Sequence, residues 1–127
     1  MEIPKLPDAE LEIMKIIWHQ GTEATSAQIM EGLEGQKEWA VTTVLNFLAR
    51  LVDRGFLKVE RKGKINIYTV IIDENAYLEI ESKSFLERLH GSSLKSLVVS
   101  LYDGKAISKS DLAELKSFIE EKAGDES

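Results

Sequence analysis

No cysteine occurs in this 127-residue chain, which excludes disulfides, thiolate metal sites and cysteine nucleophiles together. Histidine is almost as scarce, with His19 and His90 far apart and in no ligand-spaced cluster, so neither a metal nor any other cofactor is expected. Glycine-rich phosphate loops, serine-centred elbows and HExxH are missing as well, and an enzyme reading has nothing to stand on. No apolar run approaches the ~20 residues that span a bilayer. The opening MEIPKLPDAELE has neither a basic start nor an apolar signal core, so export is not expected and a cytoplasmic protein is. What is present fits a soluble globular chain, with hydrophobic residues at 43% and charged residues at 30%.

Between these absences the pattern is helical at first. Asp8 to Gln20 carries Leu11, Ile13, Met14, Ile16, Ile17 and Trp18 at helical spacing, after Pro4 and Pro7 and before Gly21. Thr25 or Ser26 can cap a second helix that holds Ile29, Met30 and Leu33. A third runs from about Ala40 to Arg54, with Val44, Leu48, Leu51 and Val52 inward and Gly55 after it. Phe56 to Arg61 and Ile65 to Ile71 are β-rich around Lys62-Gly63-Lys64, the signature of a hairpin. Trp39 is expected to anchor a short strand beside that hairpin. Three helices and a terminal hairpin make a winged helix-turn-helix. From Asp73 onward come three more helical segments, Glu74 to His90, Ser92 to Tyr102 and Ser108 to Lys122, then a frayed polar tail from Ala123 to Ser127. Ser108 with Asp111 resembles a capping box with Asp in the usual Glu place. The expected fold class is mainly α with a small β-hairpin, with a winged-helix domain at 1–72 and a helical dimerisation region at 73–127.

Charge divides the chain in the same way. The net charge is −6, yet residues 50–64 hold Arg50, Arg54, Lys58, Arg61, Lys62 and Lys64 against only Asp53 and Glu60. A basic island in an acidic protein indicates a localised anion-binding surface. Residues 1–72 hold 9 Lys and Arg against 10 Asp and Glu, and residues 73–127 hold 7 against 12. The acidity thus concentrates in the second half, which phosphate would repel.

The outward face of the third helix carries Thr42, Thr43, Asn46, Arg50 and Arg54. Asn can bond adenine through its edge, Thr can touch a thymine methyl or a phosphate, and Arg serves guanine or phosphate. The first three are expected at or near base edges, because the start of a recognition helix sits deepest in the groove. Arg50 and Arg54 are expected on phosphates or the second helix, and Arg61, Lys62 and Lys64 at a hairpin tip that can grip the backbone. The bland alternatives are a solvated helix face and lysines that blunt an edge strand. Phe47 is expected as a partly buried packing contact.

The second half is rich in apolar residues: Tyr77, Leu78, Phe85, Leu89, Leu94, Leu97, Leu101, Leu112, Leu115, Phe118 and Ile119. Three short helices bury little by themselves, so a partner is implied, and an identical chain is the commonest one. A two-fold dimer would present two winged domains to a palindromic operator of double-stranded DNA. The alternative is a protein-interaction adaptor built on the same scaffold, which the overall acidity favours and the basic island opposes.

The blocks LPDAELEIMKIIW at 6–18, TSAQIMEGL at 25–33, WAVTTVLNFLARLVDRGFL at 39–57, ERKGKINIYTV at 60–70 and ESKSFLERLHGSSLKSLVVSL at 81–101 resemble the penicillinase-repressor family of winged-helix regulators (BlaI/MecI/CopY type). The resemblance implies a homodimeric repressor that occludes a promoter and is released by a signal. In β-lactam-responsive members that signal leads, through a sensor-linked protease, to cleavage of an Asn-Phe bond in the dimerisation region. Ser100-Leu101 stands at the matching place here. The copper-responsive branch carries cysteine pairs that this chain lacks. Ala40-Val41-Thr42 stands where the family usually shows Ser-Pro-Lys, so a different operator preference is expected.

Overall fold

The computed structural model describes residues 3–125. Its elements are α1 (Asp8–Gln20), β1 (Glu23–Thr25), α2 (Ser26–Leu33), α3 (Val41–Asp53), β2 (Leu57–Lys62), β3 (Ile65–Val70), α4 (Glu74–His90), α5 (Leu94–Asp103) and α6 (Lys109–Asp125). They divide into two compact units, Met1–Glu81 and Ser82–Ser127.

In the first unit local chemistry sets the helix ends. Thr25 caps α2 in a reciprocal box with Gln28, each side chain accepting the other's backbone N–H at 3.2 and 2.9 Å. The end of α3 closes in a Schellman motif, with Phe56 N–H donating to Leu51 O at 3.0 Å and Gly55 N–H to Val52 O at 3.1 Å. That motif turns the chain straight into β2. Two residues join β2 to β3, and of these only Gly63 has a positive φ, +66°, the pattern of a type II′ hairpin.

The sheet is antiparallel in the order β1-β3-β2. Its third strand is Glu23–Thr25, which pairs Ala24 with Tyr68, so the strand expected at Trp39 is misplaced. Trp39 lies in the irregular connection before α3, its ring against Phe47. Ile13, Met14 and Ile17 of α1 pack with Ile29 and Leu33 of α2 and Val44, Leu48 and Leu51 of α3 over Phe56, Leu57 and Tyr68. Sixteen buried apolar side chains form this core, and its area burial is the main stabilising term of the unit.

Tyr77 belongs to that core and not to a dimer surface. It is 4% exposed and packs its ring on Phe56 and Trp18 at centroid distances of 5.6 and 5.9 Å. Its hydroxyl accepts the Leu6 N–H at 2.9 Å. Trp18 Nε1 donates to Ile72 O at 3.0 Å, and Lys5 reaches Glu81 at 3.8 Å. These contacts tie the first two turns of α4 to the winged unit, which therefore ends nine residues later than the expected limit at 72. Burial raises the Tyr77 hydroxyl above its ordinary value of 10.0; the Leu6 N–H works against this, and Glu81 and Asp8 add to it.

In the second unit Ser108 and Asp111 do form a capping box. Ser108 N–H donates to Asp111 Oδ2 at 2.7 Å and Asp111 N–H to Ser108 Oγ at 3.1 Å. The Ser108 backbone N–H, then its hydroxyl, hold the Asp111 carboxyl below its ordinary 3.8. The helix continues through Ala123 to Asp125, where a frayed tail was expected; residues 126–127 lie outside the described residues.

Candidate nucleic-acid interface

On α3 the buried positions Val44, Leu48 and Leu51 fix which side looks outward. Thr42, Asn46 and Arg50 follow at four-residue steps and form one exposed ridge, with half-buried Thr43 beside it. Ala40, at the helix N-cap, supplies no side-chain acceptor, so the first N–H groups keep their hydrogen-bonding capacity for solvent or an anion. The expected base-reading trio thus shares one face of one helix. Among the described residues no side-chain bond fixes any of the three, and all remain able to adapt to a groove.

Beside this ridge the hairpin forms the wall of a groove of about 410 Å³, lined by Leu45, Ala49, Val52 and Asp53 of α3 and by Val59, Arg61, Asn66 and Tyr68 of the ribbon. Strand alternation puts Val59 and Arg61 on that inner face, with Asn66 and Tyr68 as their cross-strand partners. Lys58, Glu60 and Lys62 therefore occupy the outer face of β2. Arg61 and Lys62, adjacent in sequence, serve opposite sides of the ribbon and meet only at its tip. Arg61 Nε donates to Gly63 O at 3.0 Å, folding the guanidinium toward the turn.

The cations of the basic island are not equivalent. Arg54, expected on a phosphate or the second helix, instead donates from Nε to Glu10 Oε1 at 2.8 Å. Glu10 lies on α1 and its side chain is only 2% exposed, so its charge must be met inside the protein. Arg54 meets it and ties the end of the recognition helix to α1. Lys58 is held by Glu60 at 3.3 Å on the same outer face. Among the described residues, Arg50, Arg61, Lys62 and Lys64 have no carboxylate within 4.0 Å. These four carry charge that no carboxylate among the described residues offsets.

One further cation lies outside the 50–64 window, where the charge count does not reach it. Lys37 sits in the connection after α2, with Nζ 5.8 Å from the centroid of the Trp39 ring. Trp39 meets Phe47 edge-on at 5.3 Å, and Arg50 stands over Phe47 at 5.8 Å. Phe47 is thus the partly buried packing contact expected of it. The spacing Lys37-x-Trp39 followed by Phe47-x-x-Arg50, one helical turn, was the available signal.

The second unit shows a different character. No apolar side chain beyond Tyr77 belongs to the buried set among the described residues. Leu89, Phe118 and Leu94 are 61, 54 and 52% exposed; Ile119, Phe85 and Leu101 are exposed, and Leu97, Leu112 and Leu115 half-buried. Leu78 is exposed as well, on the part of α4 that belongs to the first unit. Ser100 and Leu101 lie within α5, their carbonyls accepting from Gly104 N–H at 3.0 Å and Ala106 N–H at 2.8 Å. Among the described residues no group of three or more His, Asp or Glu could hold a metal ion, and no helix is long and apolar enough to cross a membrane.

A three-helix unit with a three-stranded sheet, an exposed polar ridge on its third helix and a cationic ribbon beside it defines a winged helix-turn-helix protein. The chain belongs to the penicillinase repressor family, whose model matches residues 6–121. It is similar to the penicillinase repressor of Bacillus licheniformis, 36% identical over 120 residues that cover 94% of this chain and 93% of that one. It is also similar to the methicillin resistance regulatory protein MecI of Staphylococcus aureus, 27% identical over 118 residues, 93% and 95% of the two chains. Among solved structures it resembles the DNA-binding domain of the repressor BlaI, with a TM-score of 0.53 and 34% identity over 60% of this chain and 92% of that one. A second resembles it at a TM-score of 0.50, the Bacillus licheniformis BlaI monomeric form in complex with the blaP half-operator, also 34% identical, over 60% of this chain and 92% of that one.

Proposed function

We propose that this protein is a DNA-binding transcriptional repressor that works as a homodimer on a two-fold operator, with no catalytic step of its own. The observation that carries the reading is the exposed Thr42, Asn46, Arg50 ridge flanked by cations that no carboxylate among the described residues neutralises. Thr42 and Asn46 are chemically suited to base edges, and Arg50 and the ribbon to the backbone beside them. The relatives that are named repressors, and the one solved with a half-operator, support the same reading.

The dimer rests on a physical deficit. Among the described residues, those from 82 onward expose leucine, phenylalanine and isoleucine without a buried core of their own, and a second copy is the partner that symmetry makes commonest. Release by a signal, including cleavage at Ser100-Leu101 by a sensor-linked protease, remains the family's route carried over to this chain. Because that bond lies in a hydrogen-bonded helix, cleavage would require α5 to unwind locally.

Fluorescence anisotropy on duplexes from upstream of its own gene tests the reading. Submicromolar, salt-sensitive binding that a scrambled duplex does not match supports a specific repressor, and equal affinity for both overturns it. Asn46→Ala should change sequence preference, whereas joint replacement of Arg61, Lys62 and Lys64 should weaken all sequences alike. Sedimentation at micromolar concentration should give twice the 14.3 kDa chain mass; a monomer there would remove the dimer.

A further inference from the structure

We propose that Lys37 and Arg50 form a two-armed phosphate clamp, held in place by the Trp39–Phe47 ring pair, so that the connection between α2 and α3 grips DNA along with the ribbon. The inference rests on the DNA-binding reading and extends it to residues outside the basic island. Four side chains stand in sequence, cation, ring, ring, cation, with separations of 5.8, 5.3 and 5.8 Å. Trp39 and Phe47 are half-buried, whereas both cations are exposed.

Each feature of this stack suits anion binding better than it suits packing. A cation over a ring face keeps N–H donors free for a further partner, because the face is only a weak acceptor and cannot saturate them. Holding the long side chains against rings also removes in advance part of the rotamer freedom that phosphate binding would otherwise cost. The connection is itself anchored: the Gln36 and Lys37 N–H groups both donate to Leu33 O at 3.0 Å. Glu38, the neighbouring carboxylate, makes no ion pair with either cation among the described residues. Arg50 also sits on the ridge with Asn46, so the clamp lies directly beside the base-reading face.

The clamp predicts a number. Each phosphate neutralised contributes about 0.9 to the slope of log K against log salt. In the full chain on a mixed-sequence duplex, Lys37→Gln should therefore lower the slope by about 0.9 per protomer bound. Trp39→Ala should lower it by a similar amount, and adding Lys37→Gln to it should lower it no further. Trp39→Phe, which keeps a ring face, should restore the wild-type slope while removing the DNA-dependent tryptophan fluorescence change, since Trp18 is half-buried against Tyr77. If Lys37→Gln leaves both slope and affinity at the wild-type value while the wild type binds steeply, the clamp is wrong and DNA binding stands. If the wild type shows no salt-dependent binding, the DNA reading itself fails. A change confined to the melting temperature assigns the stack a structural role only and overturns the clamp.

Discussion

Replacing Arg54 by Ala separates a structural cation from a DNA-binding one. The wild-type guanidinium meets Glu10 at 2.8 Å, with the Glu10 side chain 2% and the Arg54 side chain 37% exposed. Removing one partner of a fully buried pair costs about 3–5 kcal/mol, because an uncompensated charge is left behind. Water reaches the arginine side of this pair, which brings the expected loss down to about 2–3 kcal/mol. For a domain of this size each kcal/mol moves the melting point by about 4–8 °C, so Arg54→Ala should melt roughly 8–24 °C below wild type. Glu10→Gln should cost less, about 0.5–1.5 kcal/mol, since the freed guanidinium can turn to solvent. Circular dichroism melts at pH 7 measure both. The salt slope of DNA binding should meanwhile be unchanged in Arg54→Ala below its melting point. A variant that melts with the wild type and loses about 0.9 of slope would refute the argument and return Arg54 to the DNA face.

Three further outcomes follow from the packing. A Cβ on Gly32 would lie 2.6 Å from Ile16 Cγ2, so Gly32→Ala should destabilise by about 1–2 kcal/mol in urea unfolding, overpacking outweighing the better helix propensity. A chain ending at 81 should fold, whereas one ending at 72 loses Tyr77 from between Trp18 and Phe56 and should be less stable by about 3–5 kcal/mol, read by the same assay. The folded Tyr77 hydroxyl titrates above its unfolded value of 10.0, so its contribution is fully present below pH 10 and lost as pH rises through the folded value. Unfolding free energies at rising pH should show that decline in wild type and a weaker one in Tyr77→Phe.

Much of this architecture is legible in one dimension because it depends on local periodicity. The apolar stripe of 8–20, the cap at Thr25 and the turn at Gly63 each speak through residues within a few positions of one another, and α1, α2 and the hairpin fall where they indicate. β1 is a different matter. Three residues carry no alternation, and Glu23–Thr25 is a strand only because β3, more than forty positions later, offers its edge. Tyr77 looked like interface for the same reason: an amphipathic helix does not say which unit covers a given residue, and the bond to Leu6 spans 71 positions. Arg54 and Arg50 are chemically identical, and only the buried carboxylate of Glu10 tells them apart. At the site, then, the exposed polar ridge is legible in the spacing, and the distribution of free charge is not.

The most direct test of the central claim, that a few unneutralised cations bind this acidic protein to DNA, is the salt dependence of wild-type binding to a mixed-sequence duplex. With three to five of Lys37, Arg50, Arg61, Lys62 and Lys64 on phosphates, log K should fall against log salt with a slope of about −2.7 to −4.5 per protomer. A slope near zero would contradict the account.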